Sequence, residues 1–92
     1  TPHIAVSRRL ALLRQFHSDS AAEFCRKAGF SPSAWNNHET GDRRISVDAA
    51  IQLCNHFRIT LDWIYRGELY GLPAEFVDYL RASQPNGKIH AA

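Results

Sequence analysis

The 92-residue chain has no methionine and only two cysteines, Cys25 and Cys54. Each cysteine falls at a small-residue position on the inner face of an expected helix. Two such thiols read as buried and free, with neither a disulfide framework nor a metal pair. The histidines at 3, 17, 38, 56 and 90 stand at no recognised ligand spacing with either thiol, so no metal is expected. A glycine-rich phosphate loop is missing too: Gly29, Gly41, Gly67 and Gly71 are scattered and read as helix caps and turns. No local motif assembles a nucleophile, a base and an orienting acid, which leaves a non-enzyme without cofactor as the expectation. No apolar run approaches bilayer length, and Thr1-Pro2-His3-Ile4 is not the apolar core of a signal peptide. A cytoplasmic protein that avoids the membrane is the corresponding expectation.

Charge is also scarce. The formal net charge of +2 is too small to announce a nucleic-acid partner by itself. Its distribution is more informative: residues 1–58 carry eight basic and five acidic side chains, net +3, whereas residues 59–92 carry three and four, net −1. A phosphate-facing surface would therefore belong to the N-terminal part.

What is present is helical periodicity. With 45% hydrophobic residues the chain suits one globular unit with a single modest core. Residues 1–4 read as a frayed terminus, followed by a first helix from about Ala5 to Phe16 with Val6, Leu10 and Leu13 on one face. Ser20 with Glu23 makes a capping box, Phe24, Cys25 and Ala28 give an apolar stripe, and Gly29 supplies a left-handed stop. Phe30 turns inward, Ser31 caps the next helix, and Pro32 takes its first position, where a missing amide costs nothing. That helix runs to Thr40 and closes at Gly41, with Trp35 and His38 on one side and Ser33, Asn36 and Asn37 on the other. Ser46 starts a fourth helix whose buried stripe is expected to be Val47, Ala50, Ile51, Cys54 and Phe57. Thr60 caps a short fifth helix ending at Gly67. Leu72-Pro73-Ala74-Glu75 opens a further helix bearing Phe76, Val77, Tyr79 and Leu80, and residues 83–92 lack periodicity and read as a flexible tail.

Two short helices joined by a glycine-containing turn, Ser20 to Gly41, form the stretch around which the rest is organised. Cys25, Gly29, Phe30, Trp35, Glu39 and Gly41, continued by Ile45-Ser46, Ala50, Leu53-Cys54 and Leu61-Asp62-Trp63-Ile64-Tyr65-Arg66-Gly67, resemble the helix-turn-helix of the Cro and phage-repressor (XRE-like) regulators. The resemblance covers about residues 7 to 67. It implies an all-α fold: a five-helix lambda-repressor-like DNA-binding domain over residues 1–67, with an additional C-terminal helix over 68–82 and the tail over 83–92. It also implies a transcriptional regulator, a repressor by the usual habit of such proteins, which reads a pseudo-palindromic operator in double-stranded DNA as a homodimer.

On that reading Ser33, Asn36 and Asn37 would address base edges, Asn being suited to the paired donor and acceptor of adenine. The plainer alternative is a solvated helix face. Phosphates would meet the helix starts at Ser20, Ala21, Ser31 and Pro32 and the loop cations Arg43 and Arg44, for which an idle exposed loop is the alternative. In the resembled family a first-helix Arg and a recognition-helix Glu form a largely buried ion pair, and Arg14 and Glu39 occupy those positions. Where many members carry Gln at the start of both motif helices this chain has Ala21 and Pro32, which removes two familiar readout groups. Leu69, Tyr70, Leu72, Phe76, Tyr79 and Leu80 exceed the needs of so small a core and, with the fifth helix, would form the dimer surface. Alternatively, the last helix folds back onto its own chain. A second use of the same fold is as a module for a regulatory protein partner, an antitoxin or anti-activator.

Overall fold

The computed structural model describes residues 2–18 and 20–83, and among them every regular element is an α-helix. In chain order these are α1 (Pro2–His17), α2 (Ala21–Ala28), α3 (Pro32–Thr40), α4 (Val47–His56), α5 (Leu61–Arg66) and α6 (Ala74–Ala82). None is long and apolar enough to cross a membrane. The tail expected over 83–92 lies, beyond Ser83, outside the described residues.

Four helices begin at a hydroxyl cap. The side chains of Ser20, Ser31, Ser46 and Thr60 accept the backbone N–H three residues on, in α2, α3, α4 and α5 respectively. Each thereby satisfies a donor that the helix itself leaves unpaired. The capping box at α2 forms only in half: Glu23 N–H donates to Ser20 Oγ at 3.0 Å, while the Glu23 carboxylate accepts from Ser18 Oγ at 3.4 Å instead of reaching the Ser20 amide. The Ser20 amide donates to Ser18 Oγ at 3.4 Å, so the upstream hydroxyl takes the place that the carboxylate was expected to fill.

The first helix starts at Pro2, not near Ala5. Proline at the first helical position brings a helical φ and has no amide to satisfy, so the residues expected to fray continue the helix. α1 lies at the centre and touches α2, α3, α5 and α6. Its Leu10 and Leu13 have no exposed surface and meet Phe24, Trp35, Leu53, Trp63 and Ile64 in one continuous core. Aromatic contacts tie the parts together. Phe24 stacks on Phe57 at 5.1 Å and tilts against Trp35 at 4.8 Å, while Trp63 meets Phe76 edge-on at 5.1 Å.

The stripe expected on α4 faces the core at Ala50, Cys54 and Phe57 but not at Val47 and Ile51, and it omits Leu53. Ala50 and Leu53 are buried, Cys54 and Phe57 are half-buried, and Val47 and Ile51 are 57% and 42% exposed. Apolar residues occupy two neighbouring faces of this helix at the same spacing. Only one of them meets α2 and α5.

Phe76 and Leu80 join the same core cluster at 2% and 6% exposure, with Leu72 and Tyr79 packed half-buried against it. Residues 68–82 therefore complete this chain's own core, and Phe76 and Leu80 have no surface left to offer a second copy. Of the six residues assigned to the dimer surface only Leu69 and Tyr70 are exposed, Tyr70 at 89%.

Candidate functional site

The turn between α2 and α3 is closed from both sides. Gly29 adopts the left-handed conformation at φ 81°, and its N–H and that of Phe30 both donate to the Cys25 carbonyl, at 2.8 and 3.0 Å. From α4, Gln52 Nε2 donates to the carbonyls of Ala28 and Gly29 at 2.6 and 3.2 Å. A β-carbon at residue 29 would stand 2.9 Å from that nitrogen. The left-handed φ calls for glycine, and a side chain there would also displace the end of Gln52 from its two carbonyls.

Beyond the turn, α3 is held by one face. Trp35 is 1% exposed, set against Phe24 and, edge-on at 5.4 Å, against Phe30. Its indole N–H donates to Glu39 Oε2. The same carboxylate accepts from Arg14 Nε and Nη2 at 2.9 to 3.0 Å. The pair thus forms with its two side chains each 18% exposed, and Glu39 joins α1 to α3 with the core indole as a third member. The Glu39 carboxylate beside it holds the Arg14 guanidinium above its ordinary pKa.

With Trp35 facing inward, helical periodicity turns Ser33, Asn36, Asn37 and Thr40 to the opposite side. Ser33, Asn36 and Thr40 are exposed and Asn37 is half-buried. Among the described residues neither Asn side chain has a hydrogen bond to the protein. The Asn37 carbonyl accepts from Arg43 N–H at 3.2 Å and from Thr40 Oγ1 at 3.4 Å, which anchors the following loop to the end of α3. Thr40 was absent from the sequence-based site, although it stands seven residues after Ser33 and completes the same stripe.

Arg43 and Arg44 are exposed, and neither forms an ion pair among the described residues. Ser20 and Ser31 use their hydroxyl oxygens as caps, while Ala21 and Pro32 present exposed first-turn surface without a donor side chain. The nine residues assigned to DNA therefore divide into an outer helix stripe, two helix starts and one loop. Arg8 is exposed, but Arg9 is withdrawn from any such role: its Nη1 donates to the Ile64 carbonyl at 2.9 Å and closes the end of α5. Burial pushes its guanidinium below the usual value. Tyr65 acts similarly, donating from its hydroxyl to the Ile45 carbonyl at 2.8 Å.

His38, on the inner edge of α3, meets Phe30 and Trp35 edge-on, and among the described residues its buried Nδ1 has no hydrogen-bond partner. Burial lowers its pKa. Burial likewise raises the Cys25 and Cys54 thiols, so neither is an activated nucleophile. Among the described residues no group of three His, Cys, Asp or Glu side chains could hold a metal ion. No family model, curated protein or solved structure matches this chain.

Proposed function

We propose that this chain is a helix-turn-helix DNA-binding protein with the lambda-repressor-like arrangement, a transcriptional repressor that places α3 of each of two protomers in successive major grooves of a pseudo-palindromic operator. The observation that carries this reading is the division of α3. One face is clamped by Trp35, Glu39 and Arg14, and the other presents Ser33, Asn36, Asn37 and Thr40, with both amide side chains uncommitted among the described residues. A rigid helix bearing free donor and acceptor groups suits base-edge readout. Arg43 and Arg44, unpaired among the described residues and immediately beyond its end, suit the flanking phosphates.

With Phe76 and Leu80 internal, the dimer contact is assigned to what remains exposed beside α5. Leu61 and Leu69 are 37% and 36% exposed, and Tyr70 stands out in the turn. A β-carbon on Gly71 would lie 3.6 Å from Thr60, which sets this turn next to the start of α5.

The experiment is selection from a random duplex pool at physiological salt, followed by titration of the recovered site with wild type and with Asn36→Ala plus Asn37→Ala. A pseudo-palindrome that the double variant no longer distinguishes from unrelated DNA supports operator reading by α3. Failure to enrich any sequence overturns it. The exposed apolar residues Val47 and Ile51, which α4 turns away from the core, favour one second reading, a module that docks a regulatory protein. In that case binding should survive added salt and depend on those two side chains.

A further inference from the structure

Away from α3, the ends of α1 and α4 and the start of α6 enclose a cleft of about 350 Å³. That is the small end of the range for ligand sites. Its walls include Phe16, Phe57 and Phe76, and Phe16 and Phe76 are tilted against each other at 4.9 Å. His17 lies between these rings, 4.4 Å from Phe57 and 6.4 Å from Phe76, and burial lowers its pKa, which keeps this part of the wall uncharged near neutral pH. The cleft is also lined by one cation and one anion, Arg58 and Glu75. Both are exposed, and among the described residues neither has an ion-pair partner.

An apolar aromatic hollow with an uncommitted charge of each sign matches a small ligand built the same way. We propose that this cleft binds an aromatic zwitterion of the size of a free aromatic α-amino acid. The ring would lie against the wall that Phe16, His17, Phe57 and Phe76 form, the carboxylate against Arg58, and the ammonium against Glu75. A purely anionic aromatic would pair with Arg58 and leave Glu75 unmatched, and a purely cationic one would pair with Glu75 and leave Arg58 unmatched. Only a ligand carrying both charges satisfies both. The inference is independent of DNA binding.

The test is calorimetric titration of the full chain with L-phenylalanine and L-tryptophan, beside phenylacetate, which lacks the ammonium, and phenethylamine, which lacks the carboxylate. Saturable binding of an amino acid is expected, with each half-analogue at least about tenfold weaker, as the loss of one charge-assisted contact implies. Arg58→Ala should weaken the amino acid and phenylacetate together. Glu75→Gln should weaken the amino acid and leave phenylacetate unchanged or tighter. Both positions are on the surface, and thermal melts of the two variants check that the fold is intact. No saturable binding of either amino acid, half-analogues that bind as tightly as the amino acid, or affinities indifferent to both substitutions would overturn the proposal.

Discussion

At the scale of single residues, Glu39 does more than the pairing that its resemblance to a family position implies. Its carboxylate serves the Arg14 guanidinium and the Trp35 indole together, so truncating it strands two donors, whereas truncating Arg14 strands one acceptor group that keeps the indole. Glu39→Ala is therefore expected to cost more than Arg14→Ala in chemical denaturation, with the Arg14 change at about 3 kcal/mol, the lower end for a largely buried pair. The reverse order would show that the indole contact contributes little. His38 makes a second residue-scale prediction. Its folded-state pKa lies below the ordinary imidazole value because of burial, so the unfolded chain binds the proton more readily. The stability that this group contributes is fully present above about pH 6.5 and is lost as pH falls through that value toward the folded pKa. His17 acts in the same direction, from burial first and from Lys27 second. Melting temperature should fall from pH 7 to pH 5, and His38→Gln should flatten that slope.

At the scale of elements, legibility in the sequence depended on whether a local rule decided the matter. Ser31, Pro32 and Gly41 specify both ends of α3 by cap chemistry, and α3 runs from Pro32 to Thr40 as those residues require. α4 shows the opposite case. Val47 and Ile51 keep helical spacing with Ala50 and Cys54 as well as Leu53 and Phe57 do, and only packing against α2 and α5 selects between them. The contacts of Arg9, Gln52 and Tyr65 were equally hidden. Each closes a backbone carbonyl 20 or more positions away, and no short-range pattern encodes such a pair. The corrected α4 face is testable by truncation. Leu53→Ala is expected to cost about 2 to 5 kcal/mol in urea denaturation. Ile51→Ala, on the exposed side, should stay within about 0.5 kcal/mol of wild type if no partner covers it. Equal losses at the two sites would return Ile51 to the buried face.

For the whole molecule, a formal charge of +2 makes the placement of cations more important than their number. Arg9 and Arg14 are committed to Ile64 and Glu39, and Arg66 pairs with Asp62 and Glu68. Arg26 has Glu23 beside it, so these four of the eleven cations are engaged among the described residues. Arg43 and Arg44 are exposed and unpaired among the described residues, on the loop that leaves α3. If they meet phosphates as proposed, a symmetric dimer contributes four such contacts, and the logarithm of affinity should fall with the logarithm of salt concentration with a slope of at least about 3.6. Replacing both by Ala should remove that amount from the measured slope and weaken unrelated duplexes as much as the selected operator, because phosphate contacts carry no sequence information. Asn36→Ala should do the converse, leaving the slope unchanged and narrowing the gap between operator and unrelated DNA. Salt titrations of the three proteins on the two duplexes separate these effects. A slope unaffected by loss of both arginines would remove the loop from the interface and leave α3 without its flanking phosphate contacts.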